Sequence, residues 1–227
     1  MTFGRTMLFP SAPQLTRPPY PTETVRRTFH KKIATIEPCF ASCSKSSVNL
    51  TGAEEAYWGV RGLHLLATHH EKYLKHGSDL DVNLFSNLED AIKRSTADSA
   101  KALAEQTRLH QVFQQVFDEY DILITPATNV LPFPHAKNHP TTVQSQPARH
   151  YLEWCSILYG ISLVGHPAVS LPAGLDEQGT PFGLQIVGPR YADHRLLEIA
   201  LALETLFMGI EEVKRPEPDL KTLGKTS

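Results

Sequence analysis

Two short apolar runs near the end of the chain constrain the fold most strongly. Residues 168–172 (AVSLP) and 182–188 (FGLQIVG) are each flanked by glycine and proline, and Gly174, Asp176 and Gly179 lie between them. Glycine and aspartate supply the backbone geometry that turns require. The pattern therefore predicts two neighbouring strands joined by a turn-rich connection.

The rest of the chain predicts helices first and then strands interleaved with helices. Apolar residues recur every three or four positions in five segments, which predicts amphipathic helices. These segments are 22–36, 51–74, one from Asp81 or Ser86 to Arg94, one of about 25 residues that ends at Tyr120, and one that begins at Asp193. Residues 151–163 (YLEWCSILYGISL) are aromatic and apolar, which favours a buried helix, and 121–125 (DILIT) predicts a buried, central, parallel strand.

Three helix starts have the residues of a cap. Thr51 and Glu54 have the spacing of a capping box, Ser95 or Thr96 can cap the helix that ends at Tyr120, and Asp193 can cap the last one. The predicted buried stripes of these last two helices are Leu103, Leu109, Phe113, Val116, Phe117 and Tyr120, and Leu196, Leu197, Ile199, Ala200, Leu203, Leu206 and Phe207.

The two ends of the chain have a different composition. Five prolines lie within residues 1–21, too many for a helix or a central strand, which predicts an extended arm. Residues 214–227 are polar and interrupted by proline, which predicts a tail. One α/β domain is therefore expected over 22–213, with a Ser-rich loop and a short strand over 39–50 and a long Pro-rich loop over 127–149.

Composition excludes several classes of protein. Hydrophobic residues make up 41% of the chain and charged residues 20%, which is enough apolar material for a packed core. A net charge of −2 argues against nucleic acid and membrane partners, and no apolar run reaches the ~18 residues of a membrane span. Three sparse cysteines favour a reducing cytoplasmic setting, and the spacing of Cys39 and Cys43 lacks the second ligand pair of a zinc site.

Several motifs together resemble the C-terminal half of the amidase signature family. They are YDILITPAT at 120–128, YLEW at 151–154, GHPAVSLPAG at 165–174 and TPFGLQIVGPRYADHRLLEIALALE at 180–204. The resemblance is specific from Tyr120 to Glu204 and looser from Val25 to Glu119. It implies a mixed sheet flanked by helices, as in the C-terminal part of the amidase signature fold.

The same resemblance implies hydrolysis or transfer of an amide. The family uses a serine nucleophile, a bridging serine and a lysine base, with backbone N–H groups that bind the oxyanion. This sequence has no GGSSGGS-like segment, and Ser44-Lys45-Ser46-Ser47 is interpreted as a solvated polar stretch. We therefore assign no catalytic residue and expect a truncated amidase or pseudoenzyme that is inactive alone.

Three residues are candidates for lining a substrate pocket. In the family, the helix corresponding to 151–163 lies near the acyl-binding cavity, so Trp154 and Tyr159 could face it; the alternative is that both are core aromatics. His166 follows Gly165 at a strand entrance and is interpreted as a packed histidine rather than a general base.

The remaining chemically reactive side chains carry weaker signals. Cys155 aligns with the acidic glutamine-binding residue of amidotransferase members, so that site does not transfer to this chain. His64, His69 and His70 are interpreted as an exposed helix face, and no metal or cofactor is predicted.

Three hypotheses for function follow. The first is the C-terminal portion of an amidase, whose partners would be a small amide and an N-terminal amidase half. The second is a non-catalytic binding or assembly module, which would include a homo-oligomer, because half of a sheet leaves strand edges uncovered. The third is an independent hydrolase built on Ser170 and His166.

Overall fold

The computed structural model describes residues 21–45, 48–218 and 220, apart from the side chain of Ser78, and the backbone of 3–8. Its helices are α1 (Glu23–Ile36), α2 (Ala53–His76), α3 (Val82–Lys93), α4 (Thr96–Glu119), α5 (Tyr159–Val164) and α6 (Asp193–Phe207). Its strands are β1 (Phe3–Leu8), β2 (Phe40–Lys45), β3 (Ile122–Pro126), β4 (Thr142–Val143), β5 (Gln146–Pro147), β6 (Ala168–Leu175) and β7 (Pro181–Val187).

Five of these strands form one mixed sheet in the order β2-β1-β3-β7-β6. β1 is parallel to both β2 and β3, whereas β7 is antiparallel to both β3 and β6. The prediction of a mixed α/β fold is confirmed, and β3 is the buried central strand. The expected parallel pairing of β3 holds only on its β1 side, because β7 returns from β6 through a hairpin.

The β6–β7 hairpin forms where the sequence predicts it. Asp176 accepts hydrogen bonds through Oδ1 from the backbone N–H groups of Gln178 and Thr180, at 2.9 and 2.8 Å. Gly179 has a φ of +76°, in the region that favours glycine, so the turn residues act as expected.

The sheet is covered by helices on both faces, and each face has its own apolar core. Alternation along β3 sends Ile124 toward the core formed with α1 and α6, and Leu123 toward the core formed with α2, α4 and α5. β7 divides in the same way, with Ile186 on the first side and Val187 on the second. This two-sided burial explains why the 121–125 run is apolar throughout.

The predicted N-terminal arm is wrong for residues 3–8. These residues form β1, which lies between β2 and β3 inside the sheet. The five prolines that suggested an arm all come after Leu8, so they do not interrupt the strand. Residues 9–20 of that prediction, and 219 and 221–227 of the predicted tail, lie outside the described residues.

Two of the three predicted caps are wrong. Ser95 caps α4 in a reciprocal capping box with Asp98, as its position predicts. In α2 the cap is Gly52, whose φ of +85° turns the chain before Thr51 can reach the first-turn N–H groups. In α6 the cap is Ala192, whose methyl side chain cannot accept a hydrogen bond from the first turn.

Two further predictions need correction. Leu103 and Leu197 are 46% and 62% exposed, so each lies at the edge of its helix's apolar stripe rather than in the core. The predicted helix over 151–163 is a 3-10 helix (Glu153–Leu158), distorted at Cys155, followed by the short α5. No helix among the described residues combines the length and apolar character needed to cross a bilayer.

Candidate substrate site

An apolar pocket of about 280 Å³ opens where β3 ends and β7 begins. The backbone N–H of Ala127 donates to the carbonyl of Gly183 at 3.1 Å, which joins the two strand ends. A Cβ at Gly183 would lie 3.2 Å from the Cβ of Ala127 and 3.3 Å from Oγ of Ser170, so glycine permits this close approach. The walls are mainly carbon and consist of Ala127, Thr128, Val130, Leu131, Pro132, Phe133, Trp154, Pro181, Phe182 and Gly183.

Trp154 lies in the wall of this pocket. The 3-10 helix Glu153–Leu158 carries it, and its ring meets that of Phe133 edge to face, with centroids 5.6 Å apart. The large, half-buried indole gives the pocket a broad apolar surface. Its role in substrate binding stays a prediction.

Buried Asn129 fixes the 3-10 helix against the end of β3. Its Nδ2 donates to Oγ of Ser156 at 2.5 Å, and its Oδ1 accepts from the N–H of Ile157 at 3.3 Å. Its backbone N–H donates to the carbonyl of Trp154 at 3.0 Å. Sequence reasoning missed this residue, although a lone asparagine directly after TPAT, in an otherwise apolar segment, is the available signal.

Tyr159 lies apart from the apolar pocket. It is 3% exposed, its ring stacks on that of Tyr57 with centroids 4.3 Å apart, and its hydroxyl donates to the carbonyl of Leu152 at 2.8 Å. Burial raises the pKa of this phenol well above its ordinary value. The hydroxyl therefore stays protonated and serves as a donor that anchors α5.

A charged network connects α2 to the 3-10 helix. Buried Glu153 accepts from Nε of Arg149 at 2.7 Å, and Nη2 of Arg149 lies 3.1 Å from Glu54. Nε2 of His150 also lies 3.1 Å from Glu54. Burial alone would raise the pKa of Glu54, but the hydrogen bonds and charges of His150 and Arg149 outweigh it and lower that pKa. The network therefore keeps the Glu54 carboxylate ionised and holds the 3-10 helix in position against α2.

His166 is a buried residue in the segment between α5 and β6, where it packs against α4. Its Nδ1 donates to the carbonyl of Gly188 at 3.0 Å, and its ring packs against Phe117 and Phe113, with centroid distances of 4.9 and 5.2 Å. Its Nε2 is buried and has no hydrogen-bond partner among the described residues. Burial is the main cause that lowers the pKa of this imidazole; the hydrogen bond to Gly188 opposes it, and the neighbouring His110 and Arg190 act in the same direction as burial.

The structure does not bring the three predicted pocket residues together. Trp154 faces the apolar pocket, Tyr159 anchors α5, and His166 packs against α4. The surroundings of Tyr159 are those of a core aromatic, and the surroundings of His166 are those of a packed histidine.

The side chains considered as nucleophiles have no activating arrangement among the described residues. Ser170 is exposed in the middle of β6, and the nitrogens of His166 do not bond to it. Sγ of Cys155 donates to the carbonyl of Leu152 at 3.1 Å, and burial raises the pKa of this thiol. Ser44 and Lys45 end β2, and the two serines after them lie outside the described residues.

A mixed sheet covered by helices on both faces, with a pocket where β3 ends and β7 begins, defines an α/β protein with a candidate ligand pocket. The family model described as Amidase matches residues 61–197. This match spans more than half of the chain, so the chain belongs to the amidase signature family. The resemblance seen in the sequence is thereby confirmed.

Two curated relatives illustrate how the chain compares with longer proteins. A glutamyl-tRNA(Gln) amidotransferase subunit of Dehalococcoides mccartyi is 39% identical over 116 residues, which covers 51% of this chain and 22% of that protein. A fatty acid amide hydrolase of Medicago truncatula is 31% identical over 134 residues, covering 57% of this chain and 21% of that protein. The matched region is thus a small part of each relative.

The fold agrees with solved structures of the same family. A bacterial aryl acylamidase of the amidase signature family superimposes with a TM-score of 0.74 at 19% identity. The superposition covers 90% of this chain and 44% of the aryl acylamidase. At this identity the likeness establishes the fold alone.

Proposed function

We propose that this chain forms the substrate-binding side of an amidase, an enzyme that hydrolyses a carbon–nitrogen amide bond. The observation that carries the proposal is the family match over 61–197, because this range includes β3, β7 and Trp154, which border the apolar pocket. The carbon-rich walls favour an aryl or alkyl group of the amide substrate.

We further propose that the 227-residue chain is inactive alone. Its sequence contains no Gly- and Ser-rich segment like the one that carries the two catalytic serines of the family. Pocket walls without a nucleophile bind an amide but do not cleave it. The serine–serine–lysine set would then be supplied by an N-terminal amidase half. The free cysteines support the reducing cytoplasm as the location of the protein.

The test is amide hydrolysis by the pure chain, with its mass and oligomeric state verified. We expect no turnover across a panel of aryl and alkyl amides, and turnover when a family N-terminal half is added. Turnover by the chain alone would contradict the inactivity. The variants Ser170→Ala and Cys155→Ala would then locate the nucleophile.

Binding tests the pocket separately from catalysis. Trp154→Ala should weaken binding of an aryl amide such as acetanilide by about tenfold, because it removes a large apolar wall. Tyr191→Ala, at a residue that is 85% exposed, is the control and should bind as the wild type does. Equal affinity of the Trp154 variant and the wild type would place the aryl group elsewhere.

The second candidate function is a binding or assembly module. Leu197, Leu201 and Met208 lie on one face of the α6 region and are 62%, 66% and 44% exposed. Exposed apolar side chains in one row favour association with another protein surface. Sedimentation velocity of the pure chain tests the homo-oligomer. A monodisperse monomer would argue against association of two copies through this face.

A further inference from the structure

A polar cleft of about 840 Å³ lies between α2, α3 and the segment 139–151. Its walls share no residue with those of the apolar pocket. The side chains that matter for its chemistry are Arg61 on α2, Asn87 and Asp90 on α3, and Tyr151.

Arg61 is a half-buried cation that has no counter-ion within the part of the chain that the structure describes. It forms no ion pair with any carboxylate of the described residues, and its Nε is buried without a hydrogen-bond partner. Its titratable neighbours include Tyr57 and Cys155, and burial raises the pKa of both, so both are uncharged at neutral pH. An unpaired charge that loses solvent is costly, which favours an anion at this position.

The other arginines of the cleft are already paired. Nη1 of Arg94 lies 2.6 Å from Oε1 of Glu55, and Arg149 is held by Glu153 at 2.7 Å. Their charges are therefore compensated within the protein. Arg61 differs from them in having only uncharged partners.

Tyr151 adds a hydrogen-bond donor at the same place. Its hydroxyl oxygen accepts from Nδ2 of Asn87 at 2.8 Å and from Nη2 of Arg61 at 3.4 Å. A phenol oxygen accepts about two hydrogen bonds and donates one. With its acceptor positions occupied, the hydroxyl has its proton left to donate, and no acceptor for that proton is found among the described residues.

We propose that this cleft binds an organic carboxylate, with the Arg61 guanidinium and the Tyr151 hydroxyl as its donors. A guanidinium binds a carboxylate through two parallel N–H bonds, and the hydroxyl supplies a third. Trp58, which also lines the cleft, offers an apolar surface for the body of the ligand. Asp90 lies three residues from Asn87 on α3, and its negative charge favours ligands whose remaining polar groups are donors.

The test compares benzoate with benzamide, its neutral counterpart, by titration of the isotope-labelled chain in NMR. We expect benzoate to shift resonances of the cleft and to bind at least tenfold more tightly than benzamide. Arg61→Gln should weaken benzoate binding by ~10- to 100-fold, because it removes a charge-assisted pair of hydrogen bonds. Tyr151→Phe should weaken it by a smaller factor.

Asp90→Asn is the matched control variant, because it removes a negative charge from the same cleft, whereas Arg61→Gln removes a positive one. It should strengthen benzoate binding, whereas Trp154→Ala, in the apolar pocket, should leave it unchanged. Thermal unfolding checks that each variant is folded, and Tyr151→Phe carries the test if Arg61→Gln is not. Equal benzoate affinity of the donor variants and the wild type, or no benzoate binding by the folded wild type, would overturn the proposal without affecting the amidase proposal.

Discussion

His166 shows at the scale of a single residue how burial determines chemistry. Its Nδ1 has an acceptor in Gly188, but its buried Nε2 has none among the described residues. A second proton would therefore be placed on a nitrogen that lacks an acceptor, close to the charge of Arg190 and beside His110. The neutral ring is the form that the fold stabilises.

This arrangement predicts a loss of stability in mild acid. The folded-state pKa of His166 is below the unfolded value of 6.5, so the unfolded chain binds more protons between these two pKa values. The contribution of His166 to the free energy of unfolding is complete above pH 6.5 and declines as the pH falls toward the folded-state pKa. Urea unfolding from pH 8 to pH 5 measures it.

The matched variants are His166→Asn and His64→Gln. Asparagine can keep the donor to Gly188 but does not titrate, so the pH dependence should become shallower. His64 is exposed on α2, and its replacement should leave the slope as in the wild type. An unchanged slope in His166→Asn would show that other groups cause the acid sensitivity.

At the scale of elements, the helix starts show that one sequence signal has two structural outcomes. Ser95 and Thr51 both begin patterns that favour a cap, yet only Ser95 bonds to its helix, through the N–H of Asp98 at 3.1 Å. Gly52 accounts for the difference, because its left-handed backbone makes it the cap of α2.

These two positions give a paired prediction. Ser95→Ala should lower the free energy of unfolding by about 1 kcal/mol, because an N–H at the start of α4 loses its acceptor. Thr51→Ala should change it by less than about 0.5 kcal/mol, because Thr51 is exposed and does not cap. Urea denaturation of both variants measures the difference, and equal losses would show that Thr51 caps α2 in solution.

At the scale of the whole molecule, stability depends on how the helices cover the two faces of the sheet. Leu203 and Leu197 lie on the same helix, and the sequence places both in one apolar stripe. In the structure Leu203 is fully buried in the core with α1 and the sheet, whereas Leu197 is 62% exposed. The buried face of α6 is therefore narrower than the apolar stripe that its sequence predicts.

The two leucines allow a direct measurement of this packing. Leu203→Ala should cost about 2–5 kcal/mol, because it leaves a cavity between α6 and the sheet. Leu197→Ala should cost less than about 1 kcal/mol, since most of its side chain remains in water. Similar costs in urea denaturation would mean that the exposed face of α6 is covered in solution, which would favour the assembly module.

The sequence by itself determined the family, the mixed α/β class, the β6–β7 hairpin and the existence of the amphipathic helices. These features depend on local signals, namely the spacing of apolar residues, the turn residues and the order of the motifs. Such signals can be recognised without knowing which residues meet in the folded protein. The cap of α4 by Ser95 also belongs here, because its partner Asp98 is three residues away.

Only the tertiary structure decided which residues share a site and which stripe positions are buried. Residues 3–8 become an inner strand because β2 and β3 pair with them, and the antiparallel side of β3 depends on β7. Trp154, Tyr159 and His166 lie close in sequence but face different surroundings, because the 3-10 helix, α5 and the short segment between α5 and β6 point their side chains in different directions. The uncompensated charge of Arg61 likewise follows from contacts with α3 and Tyr151, which no local pattern specifies.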